Sequence, residues 1–251
     1  MNKKYFLPKE YQLLEYDAVE STMTTAKNIA EIEEFSMSKI IWAKRQTQGR
    51  GRQGKKWISP SGNLYFSFIR KAEKINKKHS FAPVYIISLS LAETIQEISN
   101  GSLTPFLKWP NDLLINGNKL AGILLEKFSN KTNQDLLNIG IGININNSPK
   151  NVDYDTTFLK KENVNISAKN MLLCFFNFLS ANEKIYNYMG IEEIIQKWKN
   201  YSHKINDRLF VRLGDDDFYC YYQGIDKDGA LIVKLENKKI RKIYSGDIFI
   251  E

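Results

Sequence analysis

Cysteine and histidine are scarce in this 251-residue chain, at two of each. Cys174 and Cys220 lie inside apolar or aromatic runs, which reads as two buried reduced thiols rather than a disulfide. His79 and His203 have no cysteine or aspartate at metal-ligand spacing, so no zinc site is expected. No apolar run approaches the roughly 18 residues that a membrane helix needs, and the first residues lack the hydrophobic region of a signal peptide. A cytoplasmic protein without a membrane partner is the expectation. Internal repeats and low-complexity segments are missing too, although Lys, Asn and Ile are abundant. What the chain does have is 43% hydrophobic and 12% aromatic content, enough for one substantial core with a small appended domain. Thirty-six Lys and Arg against 28 Asp and Glu leave +8, which favours encounter with an anion: nucleic acid, nucleotide or acidic protein.

The periodicities are mixed. A strand at 13–19 is followed by a helix that Ser21 and Thr22 cap and that runs through Ala26, Ile29 and Ile32, then by a strand at 39–43. Leu64, Phe66 and Phe68 alternate as in a half-buried strand, and 80–99 reads as a buried helix with Ser80 as cap, Pro83 in its first turn and Gly101 just past its end. From 103 to 146 the pattern is of strands, with Asn116-Gly117 as a tight hairpin turn. Two helices follow, one through Met171, Phe175 and Leu179, one over 191–201 with Ile194, Ile195 and Trp198 inward. From about Ile205 short strands are broken by Gly-Asp, Asp-Gly and Ser-Gly-Asp turns, as in a small barrel-like β domain.

The stretch GRGRQGKKW at 49–57 satisfies G-x-G-x-x-G and nearly satisfies the phosphate-loop pattern. Both patterns need the glycine loop to open a helix, whereas Ser59-Pro60-Ser61-Gly62 follows here, and Lys56 replaces the hydroxyl that magnesium requires. Arg50, Arg52, Lys55 and Lys56 crowd four cations into seven positions and repel one another unless an anion arrives. The loop therefore suits a polyanion, and an Arg-Gly arm for nucleic acid is the competing reading. Lys108-Trp109-Pro110-Asn111-Asp112 places a lysine, an amide and a carboxylate at a strand end, as a nucleotide or metal-nucleotide site does. In Lys119-Leu120-Ala121-Gly122 one lysine enters an apolar strand, either as an edge charge or as a catalytic ammonium facing a pocket. Gly140 and Gly142 inside a strand mark a close approach to its backbone.

Taken in order, GRGRQGKKW at 49–57, KWPND at 108–112, KLAGIL at 119–124 and GIGIN at 140–144 resemble the biotin protein ligases over essentially the whole chain. Ser21-Thr22 is similar to that family's Ser-Thr-Asn segment, with Met23 standing where Asn is usual. The resemblance implies an α+β fold: a mixed-sheet biotin/lipoate ligase-like catalytic domain over 1–204 and a small SH3-like β-barrel domain over 205–251. It implies activation of biotin with ATP and Mg2+ to biotinyl-5'-AMP, then transfer to one lysine of a biotin carboxyl carrier domain of a carboxylase. GRGRQG corresponds to the family's loop that is disordered when empty and folds over the adenylate. Only twenty residues precede Ser21, which leaves no room for the DNA-binding domain of family members that are also repressors, so no DNA partner is expected.

Carried over position by position, the resemblance gives Ser21, Thr22 and Gln46 to the biotin ureido ring. Arg50 and Gly51 would close over biotin, and Arg52 would face the phosphates. Lys119 would stand between the biotin carboxylate and the α-phosphate and is the first catalytic choice, with Arg52 and Asp112. Trp57 and Asn144 would meet the nucleotide, and Lys108, Asn111 and Asp112 would organise phosphates, magnesium or the incoming lysine. The metal ligands and the oligomeric state, monomer or homodimer, stay open. A lipoate or octanoate ligase, which shares the Lys-x-x-Gly element, is the nearest alternative, and a nucleic-acid-binding module is the alternative from another class.

Overall fold

The computed structural model describes residues 5–32, 37–72, 81–150, 152–214, 216–226 and 228–250. Its larger sheet has seven strands: β1 (Tyr11–Val19), β2 (Ser38–Gln46), β3 (Leu64–Lys71), β4 (Pro105–Lys108), β5 (Asp112–Ile115), β6 (Asn118–Ser129) and β7 (Asp135–Ile143). Their spatial order is β1-β2-β3-β7-β6-β5-β4. Only β1 and β2 run parallel, joined by helix α1 (Thr22–Ile32); every other neighbouring pair is antiparallel, so the sheet is mixed as expected.

Helices α2 (Ala82–Ile98), α3 (Ala168–Met189) and α4 (Ile191–Lys199) complete the layer behind the sheet. Phe66 and Phe68 of β3 meet Phe175 and Phe176 of α3 there, with ring centroids 5.3–5.8 Å apart across the two elements. The opposite face of β3 is also covered: Ile69 joins Ala26 and Ala30 of α1, Ile41 and Leu136 in a smaller cluster. β3 is therefore buried on both faces over residues 64–69 rather than half-buried, because α1 packs on the side that alternation alone assigns to water. The remaining elements follow the sequence closely. Pro83 lies in the first turn of α2, Gly101 leaves that helix at φ 76°, and Asn116 and Gly117 turn the β5–β6 hairpin at φ 50° and 78°. The proposed cap Ser80 and His79 lie outside the described residues.

Ser167 caps α3 by accepting a hydrogen bond from the Asn170 N–H at 3.2 Å. Ser167→Ala should cost about 1 kcal/mol, read as a lower urea midpoint at unchanged slope.

A second, five-stranded antiparallel sheet is formed by β8 (Arg208–Leu213), β9 (Asp216–Ile225), β10 (Leu231–Leu235), β11 (Ile240–Ile243) and β12 (Asp247–Ile250), in the order β11-β10-β9-β8-β12. It abuts the larger sheet closely: the Gly229 carbonyl accepts from Tyr85 Oη at 2.9 Å and from Trp109 Nε1 at 3.2 Å. Cys174 and Cys220 are buried and not joined in a disulfide, as their surroundings in the sequence suggest. Among the described residues no helix is long and apolar enough to cross a membrane.

Candidate active site

The α1 face of the sheet carries the polar residues that the back face lacks. Ser67 pairs with Gly140, and Tyr65 with Gly142, so all four project to this side between α1 and the glycine-arginine loop. Gly122 of β6 lies directly opposite Gly142. Three glycines thus make a side-chain-free shelf, and two side chains lie on it. The Trp57 indole covers Gly122 and Gly142: a Cβ at Gly142 would fall 2.5 Å from Trp57 Nε1, and one at Gly122 would fall 2.9 Å from Cζ3. Met23 covers Gly140, its sulfur 2.5 Å from where a Cβ would stand. The close approach that the strand glycines imply is therefore supplied by this chain's own Trp57 and Met23.

Beyond Met23 lies a polar cluster. The Thr22 backbone N–H donates to Gln46 Oε1 at 2.8 Å, the Thr22 hydroxyl meets the same oxygen at 3.1 Å and Ser67 Oγ at 2.7 Å, and Gln46 Nε2 donates to Ser59 Oγ at 2.8 Å. Ser21 is 1% exposed, and its hydroxyl has no hydrogen-bond partner. A buried hydroxyl without a partner is costly, which suits a position that a ligand completes. Sequence reasoning found Ser21, Thr22 and Gln46 but missed Ser67 and Ser59, which look like ordinary small strand and loop residues until the fold brings them together.

At the other end of the shelf stands Lys119. β6 lies between β5 and β7, so an edge-protecting role is excluded. Its ammonium sits 2.8 Å from Asp112 Oδ1, with the two side chains 17% and 21% exposed. The ammonium also lies 5.4 Å from the Trp57 ring centroid and 4.9 Å from that of Tyr154. The β5–β6 ladder shifts register between Leu113 and Leu114, opposite 119–121, which turns Lys119 toward Asp112 at the start of β5. Trp57, Lys119, Asn144 and Tyr154 line one recess, along with Ile58 and Thr156. Asn144 donates to the Thr157 carbonyl at 3.1 Å and keeps a buried Oδ1 with no partner. Tyr154 carried no signal in the sequence, because a lone aromatic in a polar loop reads as surface.

Lys108 ends β4, and the Trp109-Pro110 peptide that follows is cis. Burial pushes the Lys108 ammonium below its ordinary value, against the opposing pull of Asp112. Asn111 donates to the Ile123 carbonyl at 2.8 Å, and its Oδ1 accepts from Arg52 at 3.2 Å. Asp112 and the Asn111 amide oxygen are hard donors of the type magnesium takes. Among the described residues no group of three or more His, Cys, Asp or Glu is placed to hold a metal ion.

The glycine-arginine loop is a short hairpin. Trp57 N–H donates to the Gly49 carbonyl at 2.9 Å, Gly51 N–H to Lys55 at 2.7 Å, and Arg50 bridges to Lys56. Between them Arg52–Gly54 makes one 3-10 turn, with Gln53 at φ 52°. No helix follows, so both phosphate-loop patterns are coincidental. A Cβ at Gly49 would meet the Trp57 carbonyl at 2.2 Å, which accounts for glycine there. Two of the four crowded cations meet carboxylates of this chain. Arg50 pairs with Glu126 of β6, and Lys55 pairs with Asp247 of β12 at 3.0 Å. Neither carboxylate was singled out in the sequence, since nothing local marks it.

Residues 16–146 match the model of the biotin/lipoate A/B protein ligase family, and residues 211–250 match the biotin protein ligase C-terminal domain. The bifunctional ligase/repressor BirA of Bacillus subtilis is 31% identical over 249 residues, covering 94% of this chain and 73% of that protein. The biotin--[acetyl-CoA-carboxylase] ligase of Paracoccus denitrificans is 24% identical over 206 residues, covering 80% of this chain and 85% of its own length. The solved structure of the Aquifex aeolicus biotin protein ligase in complex with biotin and ATP superposes with a TM-score of 0.81 at 27% identity, covering 95% of this chain and 99% of the other. The chain belongs to the biotin protein ligases of the biotin/lipoate A/B protein ligase family.

Proposed function

We propose that the protein activates biotin with MgATP to biotinyl-5'-AMP and transfers the biotin to one lysine of a carboxylase's biotin carboxyl carrier domain, in the cytoplasm. The observation that carries this reading is the shelf itself. A polar cluster at Ser21, Thr22 and Gln46 and a cation at Lys119 stand at opposite ends of the strip that Met23 and Trp57 cover over the strand glycines, which fits a ligand lying against those two side chains with a polar ring at one end and a carboxylate at the other. The names of the relatives favour biotin over lipoate.

In the first half-reaction the biotin carboxylate attacks the α-phosphorus of ATP, forming a mixed anhydride and releasing pyrophosphate. Lys119 brings the two anions together and offsets the charge that builds between them. Ser21, Thr22 and Gln46 hold the ureido ring, and Arg50 and Gly51 close over biotin. Arg52 faces the phosphates, where its planar fork suits paired oxygens. Trp57 and Asn144 contact the nucleotide, while Lys108, Asn111 and Asp112 order the phosphates and the incoming amine. Asn111 and Asp112 would hold the Mg2+ that neutralises phosphate charge when bound. In the second half-reaction the acceptor amine attacks the anhydride carbonyl, and AMP leaves. Until then the closed loop keeps water from the hydrolysable anhydride.

The direct test is incubation with biotin, MgATP and a carrier domain, with mass spectrometry expected to find one added biotin on the acceptor lysine. Pyrophosphate exchange driven by lipoate and not by biotin would overturn the assignment. Arg52→Gly should speed release of the adenylate roughly tenfold, through loss of a charged hydrogen-bond donor, with little change in biotin affinity. A collapse of biotin affinity at a normal release rate would remove Arg52 from the phosphates.

A further inference from the structure

The glycine-arginine loop is held from a residue 192 positions further along the chain. Lys55 follows the loop's 3-10 turn, and its carbonyl accepts the Gly51 N–H at 2.7 Å, so its side chain and the Gly51–Arg52 backbone move together. The Lys55 ammonium donates to Asp247 Oδ2 at 3.0 Å. Asp247 is fixed by the sheet of the C-terminal domain, paired with Arg212 at the start of β12. Two residues on, and so on the same face of that strand, the Phe249 ring lies 5.0 Å from the Lys108 ammonium. Alternate residues of one strand thus engage two cations, Lys55 on the loop and Lys108 at the end of β4. The Asp247 carboxyl feels this: burial raises its pKa, but Lys55, then Arg52 and Lys108, hold it below the usual carboxylate value.

We propose that Asp247 is a positioning residue, through which the C-terminal domain keeps the glycine-arginine loop over the site by way of Lys55. The inference rests on the ligase reading for its meaning, since what the loop then retains is the adenylate. Lys55 and Asp247 are 63% and 40% exposed, so the contact is a modest one, and its effect falls on loop opening rather than on global folding. Phosphates arriving beside Arg52 would reinforce the same closed position.

The experiment follows adenylate release after loading with biotin and MgATP, and in parallel trypsin cleavage within 50–56, where four basic residues offer sites. Asp247→Ala should speed both by up to about fivefold, the full worth of one exposed ion pair, and the difference should shrink at high salt. Asp216→Ala breaks an exposed pair to Arg241 at 2.8 Å in the same domain and should change neither. Exchanging the charges, Lys55→Asp with Asp247→Lys, should restore slow release and slow cleavage after Arg50 and Arg52, sites that the exchange leaves in place. An Asp247→Ala protein equal to wild type on both readouts would overturn the proposal, and a charge exchange that restores neither would remove Lys55 as the route. If the wild-type protein formed no adenylate, the ligase reading would fail, while the cleavage comparison would still decide whether Asp247 holds the loop.

Discussion

Lys119→Ala should lower biotin-driven ATP–pyrophosphate exchange by roughly 10² to 10³, the range for removing one preorganised cation or donor aimed at developing charge. The expected size follows from where the ammonium sits. It is inside the sheet, 2.8 Å from Asp112 and against the faces of Trp57 and Tyr154, so it is already oriented and partly dehydrated. A group held in that way needs no reorganisation as charge builds on the reacting oxygens. The substitution also leaves the Asp112 carboxylate, four-fifths buried, without its cation, which costs stability by itself. Two companions separate the effects. Lys119→Ala with Asp112→Asn removes the orphaned charge, so its thermal midpoint should recover while exchange stays low. Biotin binding, measured by calorimetry, should fall far less than exchange in Lys119→Ala. An exchange rate close to wild type would reduce Lys119 to a structural counter-ion for Asp112.

The sequence made the chemistry-bearing segments legible because each departs from what its local structure needs. A lysine in an apolar strand, glycines in a buried strand and a cationic glycine loop are unfavourable unless something else makes use of them, and Lys119, Gly140, Gly142 and Arg52 all stand out on that ground. Partners across long separations were not legible. Glu126 and Asp247 are ordinary surface carboxylates by sequence, and only the fold sets them against Arg50 and Lys55. The loop's four cations were accordingly read as awaiting an anion, when two of them already face one. β3 shows the same limit in the core. Its alternation correctly gave a strand, but whether its second face is wet depends on α1, which packs there through Ala26 and Ala30. Met23 departs from the family's usual Asn, and its thioether fills the space above Gly140 while Asn138 donates to its carbonyl at 2.8 Å. Sequence placed Met23 in the polar segment, and the structure places its side chain on the shelf.

Gly142→Val should separate folding from function by the largest margin of any single change on the shelf. Strand β7 is central and hydrogen-bonded on both sides, and Gly142 has no left-handed backbone that would penalise a side chain. Valine therefore favours the strand itself, by up to about 1 kcal/mol. Against this, the new Cβ would fall 2.5 Å from both Trp57 Cε2 and Nε1. The indole is rigid, so it must leave, and its backbone is tied to Gly49 through a 2.9 Å hydrogen bond at the base of the loop hairpin. Expelling Trp57 thus moves the loop that carries Arg50 and Arg52 and fills the space above the sheet where the ligand would lie. The two stability terms partly cancel, with overpacking costing about 1–3 kcal/mol, so thermal unfolding should shift by only a few degrees. Pyrophosphate exchange should fall roughly 10²-fold, because a misplacement of about 1 Å at a reacting centre has that consequence. Adding Trp57→Ala relieves the clash but removes the indole's own packing, so the unfolding temperature should stay within a few degrees of the single variant's, and exchange should stay low because the side chain proposed to meet the nucleotide is gone as well. Exchange restored by that second change would mean that the shelf glycines serve only to seat Trp57.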